Sequence, residues 1–188
     1  AINAAHGLIG GAMNIHTIPF LTDLGIDPLV AAGMMVVMIG SSVPARLFGG
    51  LLIDRIGTRH LRFVLLGAYL LQFIGLGIFL FFRTLPSIYA WYVVYGVGIG
   101  IAYVTNPLMR ARYFGRKAFG SIHGTTALIL TPFGVAAPVY AGWVYDTTGS
   151  YITAFTTFLG LLVFAIILIV FAAPPKPPPV VGDIRKIV

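Results

Sequence analysis

The sequence predicts an all-α membrane protein of six transmembrane helices. Three observations carry that expectation: a composition too poor in charge for a surface in water, six long apolar runs, and basic residues confined to alternate gaps between the runs. Of 188 residues, 59% are hydrophobic and only 9% charged, with a mean hydropathy of +0.97. An ordinary soluble domain carries about 25% charged residues, so the outer surface of this chain suits lipid. Backbone in lipid must satisfy its own hydrogen bonds, which leaves helices or a closed barrel. Barrel strands would be roughly ten residues long with alternating polarity. The runs here are longer and do not alternate.

About 20 apolar residues cross the hydrocarbon core as a helix. Residues 1–22, 28–53, 63–82, 84–109, 118–145 and 151–173 each suffice, and the second run is interrupted only by Arg46. The proline-rich stretch from Pro174 to Pro179 cannot continue a helix and is expected to be extended. The organisation expected is one six-span domain, residues 1–173, and a tail, residues 174–188. The chain opens on Ala1 without an initiator Met, so it is expected to be a piece of a longer protein.

The gaps fix an orientation. Gap 2–3 carries Arg55, Arg59 and Arg62; gap 4–5 carries Arg110, Arg112, Arg116 and Lys117; the tail carries Lys176, Arg185 and Lys186. The other side has Asp23, Asp27 and Asp146 with Arg83 alone. By the positive-inside rule the two basic gaps and the C-terminal tail are cytoplasmic, and the expected location is a bacterial inner or plasma membrane. The net charge of +7 is thereby divided among short juxtamembrane loops, which argues against nucleic acid as a partner.

Other classes lack their residues. The sequence has no phosphate-cradling G-x4-G-K-S/T loop, no cysteine and no His/Glu cluster for a metal, and five acidic residues, all Asp. Neither a cofactor nor an enzymatic function is expected.

Spans two and five end alike. Gly50-Leu-Leu-Ile-Asp54-Arg-Ile-Gly57 and Gly142-Trp-Val-Tyr-Asp146-Thr-Thr-Gly149 share the form G-x3-D-x2-G, one followed by basic residues and the other not. A 3+3 inverted repeat would give this pattern and would put a substrate site near the bilayer midplane. A chance match of three common residues is the competing explanation.

The longer stretch Gly50-Leu-Leu-Ile-Asp54-Arg55-Ile-Gly57-Thr-Arg59-His60 resembles the loop signature of the major facilitator superfamily, G-x3-D-R/K-x-G-x-R/K-R/K, with His60 departing at the last position. Its parts have physical roles. Gly50 allows close helix approach, Asp54 can cap a helix end or pair with an arginine, Gly57 permits a sharp turn, and Arg55 and Arg59 hold the loop at the inner surface. The resemblance implies one half of a twelve-helix transporter, so the partner expected is the other, N-terminal six-helix half. The tail, Tyr113-Phe-Gly-Arg-Lys-Ala-Phe-Gly-Ser121 and Tyr145-Asp-Thr-Thr-Gly-Ser-Tyr151 favour the C-terminal half, the last two being similar to the monocarboxylate and oxalate:formate transporter branches.

Arg46 lies about 12 Å along the helix from Asp54. A central arginine costs roughly 2.5–3.5 kcal/mol on insertion scales and needs water or protein around it. A guanidinium matches a carboxylate in two-point fashion, and Ala45-Arg46-Leu-Phe-Gly49 resembles the eighth-span arginine stretch of the carboxylate-transporter branches. Snorkelling toward the inner surface and a brace between helices are the other readings. The oxalate-type branch pairs this arginine with a lysine in its eleventh span. Span five here has His123, Thr125, Thr126 and Thr131 instead, which favours a monoanion over a dicarboxylate unless the other half supplies a second cation.

Asn14 and Thr17 share a face of span one, and Tyr103 and Asn106 lie deep in span four; these four are the further candidates for substrate binding. Trp91 and Tyr92 read as an interfacial aromatic belt and the span-four glycines as close packing. His6, His16 and His123 are candidates for proton relay, against the plainer reading that a membrane histidine bonds to a neighbouring helix. The function expected is secondary transport of a small organic anion, with a coupled proton or counter-anion. A drug or sugar carrier, or a non-transporting sensor or scaffold of the same fold, stays open as the alternative.

Overall fold

The computed structural model describes residues 2–115 and 119–172, with side chains from Gly7 onward. His6 as a side chain, Arg116, Lys117 and the tail from residue 174, with Lys176, Arg185 and Lys186, lie outside the described residues. Six helices follow one another: α1 (Ile2–Asp23), α2 (Pro28–Ile56), α3 (Leu61–Phe81), α4 (Leu85–Phe114), α5 (Phe119–Thr148) and α6 (Ile152–Phe171), with a single 3-10 turn at Thr58–His60 before α3. Five of them, α2 to α6, are long and apolar enough to cross a membrane. α1 has the length, at 22 residues, but Asn14, His16 and Thr17 dilute its apolar character.

The helices begin and end on local chemistry. The Asp27 carboxylate caps α2 by accepting from the amides of Leu29 (2.8 Å) and Val30 (3.3 Å), with Pro28 at the first helical position, where no donor is lost. Gly57 and Gly115 close α2 and α4 at φ of 80° and 81°, a region that glycine enters without the Cβ penalty.

Two of the expected gaps are partly helical. α2 runs to Ile56, so Asp54 and Arg55 sit on its last turn. α4 runs to Phe114, so Arg110 and Arg112 are helical residues. A 30-residue helix spans about 45 Å, well beyond a hydrocarbon core of about 30 Å. The charged turns therefore project past the apolar layer, where cations also suit a helix C-terminus.

α4 is the centre of the bundle, packed along its length against α2 and α3; α1 packs chiefly on α5, and α3 also on α6. Lipid offers no hydrophobic drive for helices to associate, so close approach of backbones does the holding. A Cβ at Gly100 would overlap the Ser42 carbonyl oxygen, one at Gly96 would stand 2.5 Å from the Met38 carbonyl oxygen, and one at Gly98 would stand 2.7 Å from that of Ala68. Gly50 has nothing within 4 Å of such a Cβ; on α2 the close approach falls to Gly49, against Ile101. On α5, Pro138 has no N–H for the Gly134 carbonyl, and that oxygen faces Gly11 of α1, 3.0 Å from where a Cβ would stand.

Trp91 and Tyr92 are each 1% exposed, so they are core rather than an interfacial belt. Trp91 stacks on Phe79 of α3 with centroids 4.1 Å apart. α4 is covered by α2 and α3 at this level, and its rings have no route to the lipid interface.

The two ends of the bundle differ in charge. At one end Arg62 and Tyr113 both donate to the Ala172 carbonyl, at 3.3 Å each, beside a small cavity of 60 Å³ lined by Arg59, Arg62 and Arg112. At the other, Tyr145 hydrogen-bonds Asp23 and stacks on Tyr151 at 4.3 Å. Burial first, and then Tyr145, Asp23 and Asp146, holds the Tyr151 phenol above its ordinary pKa.

Candidate functional site

α2 presents Met35, Met38, Ile39, Ser42 and Arg46 along one face, at helical spacing. With Asn14 of α1 and Ile99 and Tyr103 of α4 they line a cavity of 300 Å³. Arg46, Asn14, Ile39 and Tyr103 are exposed there, so the cavity is open on one side. The Arg46 guanidinium lies over the Tyr103 ring, 4.7 Å from its centroid, where the negative face of the ring attracts a cation. Among the described residues no carboxylate lines the cavity. Ser42 is buried and donates to the Ile39 carbonyl at 2.8 Å.

The other sequence candidates disperse. Thr17, a turn from Asn14, is 2% exposed and its hydroxyl donates back to the Met13 carbonyl, so it takes no part in the cavity wall. Asn106 is buried, bonds the Tyr69 side chain, and faces a second cavity. That cavity, of 330 Å³, is lined by Gly7, Tyr103, Asn106, Pro107, Arg110, His123, Ala127 and Leu130. Tyr103 is common to both cavities.

His16 is half-buried between helices. Its Nε2 donates to the Pro138 carbonyl at 2.8 Å, and its ring lies 5.2 Å from that of Tyr151. The contact joins α1 to α5. His123 is exposed, stacks on Phe119, and meets Arg110 Nη1 through Nδ1 at 3.0 Å. The motif residues Gly50, Asp54, Arg55, Gly57 and Arg59 are gathered at the arginine-rich end; Asp54 is exposed there, and among the described residues it has no ion-pair partner.

Sequence reasoning missed Ser42, Met35 and Met38 as cavity residues, although the i, i+3/i+4, i+7 stripe ending at Arg46 is legible. It also assigned Arg110 to a loop, one residue past the expected span; the extension of α4 to Phe114 brings Arg110 onto the face of Tyr103.

The family model for the Major Facilitator Superfamily matches residues 8–187. The chain is 28% identical over 165 residues to monocarboxylate transporter 12 of Rattus norvegicus, covering 86% of this chain and 34% of that protein. Against monocarboxylate transporter 12 of Mus musculus it is 28% identical over 160 residues, covering 84% and 32%. It thus spans about a third of the length of these curated relatives. With its apolar helices it is an integral membrane protein, and by the match along nearly its whole length this chain belongs to the major facilitator superfamily.

Proposed function

We propose that the chain is the C-terminal six-helix half of a secondary transporter that moves a small organic anion by alternating access. The observation that carries the proposal is Arg46. An exposed guanidinium, held over the Tyr103 ring at 4.7 Å, faces a cavity that no carboxylate of the described residues lines. A monocarboxylate supplies the missing charge and fits the planar fork of donors. The similarity to proteins named as monocarboxylate transporters supports the same substrate class. Asn14 and Tyr103 complete this half of the site, and the open side of the cavity is closed by the N-terminal half.

The helix pairing supports a 3+3 inverted repeat. Exchanging α1–α3 with α4–α6 turns the α1/α5 contact into the α4/α2 contact, and both are extensive. The repeat in G-x3-D-x2-G agrees with it. The excess of arginines at one end, against Arg83 alone at the other, supports a cytoplasmic arginine-rich end and C-terminus.

The test is uptake of labelled lactate, pyruvate, formate and oxalate, with a neutral sugar and a cationic dye, by cells expressing the full-length parent with and without Arg46→Gln. Loss of carboxylate uptake at normal surface abundance supports the proposal. Unchanged carboxylate uptake makes Arg46 a brace between α2 and α4, and uptake of sugar or dye alone discards the substrate class.

A further inference from the structure

We propose that Arg110, positioned by His123, is a second anion station on the same pathway, at the arginine-rich end of the bundle. The proposal rests on the reading of Arg46 as an anion site, and it adds where the anion is held before or after that site.

Tyr103, Asn106 and Arg110 recur at three- and four-residue intervals on α4 and so share a face. Tyr103 is the wall common to the 300 Å³ cavity of Arg46 and the 330 Å³ cavity of Arg110. The two guanidiniums thus stand in adjoining chambers, one on each side of a single tyrosine.

The Arg110 side chain is built in place. Its Nε donates to the Asn106 carbonyl at 3.4 Å and its Nη1 to His123 Nδ1 at 3.0 Å. A guanidinium only donates, so His123 accepts through Nδ1 in this arrangement and presents Nε2–H. Asn106 is itself fixed by Tyr69. Two of the five N–H groups of Arg110 are thereby used to orient the fork, and the guanidinium lines the chamber. Among the described residues, the ionisable side chains lining that chamber are Arg110, His123 and Tyr103, with no carboxylate. A small carboxylate is the ligand class that this donor set takes.

The second station also answers the monoanion expectation drawn from the sequence. The second cation is present on α4, in the next chamber, rather than on α5.

The test uses the full-length transporter reconstituted in one orientation into proteoliposomes, with labelled lactate offered from either face. Arg110→Gln is expected to raise the KM about tenfold at the face of the arginine-rich end, as loss of a charge-assisted bond does, and to leave the KM at the opposite face within about twofold. Arg110→Lys should restore part of the one-sided loss. His123→Ala should give a smaller rise at that same face, which a merely structural role would not confine to one side. A wild-type KM at both faces, or an equal rise at both, overturns the second station. If Arg110→Gln does not insert, Arg110→Lys decides alone: it keeps the charge and loses the fork, and a KM unchanged at the arginine-rich face overturns the proposal. Arg46→Gln is measured in parallel. Its failure to abolish transport sinks the central site, and that result is read separately from the one-sided effect of Arg110.

Discussion

The Arg46 guanidinium sits 4.7 Å above the centroid of the Tyr103 ring, so one contact ties α2 to α4 and sets the direction in which the cavity's cation points. A cation over an exposed aromatic face is worth about 0.5–1 kcal/mol, which converts to roughly two- to fivefold in affinity. Tyr103→Leu removes the ring and is expected to weaken anion binding by that factor. Tyr103→Phe keeps the ring face and should fall closer to wild type. Thermal stabilisation of the purified full-length protein by lactate reads both, and equal losses in the two variants would show that the ring is not what aims Arg46.

The glycines of α4 are predicted to be unequal to the glycine of the signature motif. Gly100→Ala and Gly96→Ala push a methyl group into the Ser42 and Met38 carbonyl oxygens of α2, and backbone cannot step aside as a flexible side chain does. Overpacking of this kind costs about 1–3 kcal/mol. Gly50→Ala meets open space and should lie within about 0.5 kcal/mol of wild type. Melting temperatures in detergent would rank them, and a Gly50→Ala protein as unstable as Gly100→Ala would contradict the packing.

The contrast shows what the sequence carried and what it did not. The helices and their order follow from run length and charge, because lipid forces every backbone group into a helix and every surplus charge to its ends. What composition hides is which face of a run meets protein. Asn14 and Thr17 share a helical face by spacing, yet the edge of the α1 contact passes between them, and the Thr17 hydroxyl returns to the Met13 carbonyl. Trp91 and Tyr92 have belt-like composition, but α4 lies between α2 and α3, so they are buried. Arg110 falls just past the apolar run that ends at residue 109, and α4 continues to Phe114. Arg46 was legible because an arginine inside an apolar run has few environments open to it.

Asp27 provides a third expectation. Its carboxylate accepts from the first turn of α2, through the amides of Leu29 and Val30. Asp27→Ala should cost about 1 kcal/mol of stability, and Asp27→Asn only a few tenths. Because the cap lies at the end of the bundle away from the cavities of Arg46 and Arg110, the anion KM should not change in either variant. A shift in KM without loss of stability would assign Asp27 a role other than capping.

The last prediction separates two roles for His16. As a proton relay it would exchange a proton during transport; as a brace it holds α1 to α5. The geometry favours the brace. Nε2 is committed to the Pro138 carbonyl at 2.8 Å, a group that only accepts, and Nδ1 is buried without a hydrogen-bond partner among the described residues. A relay needs an acceptor on one nitrogen and a donor on the other, and among the described residues the Pro138 carbonyl is the partner the ring has. Next to this bond, Gly11 and Gly134 bring the two backbones together, so His16 secures a contact already as close as helices allow. His16→Ala should therefore lower stability by about 1 kcal/mol, the net worth of one hydrogen bond, with a further loss for the ring packed on Tyr151. The pH dependence of lactate uptake should keep its shape. His16→Gln, whose amide can donate to the same carbonyl, should recover part of the stability. A flattened pH profile in His16→Gln at wild-type melting temperature would instead give His16 the proton.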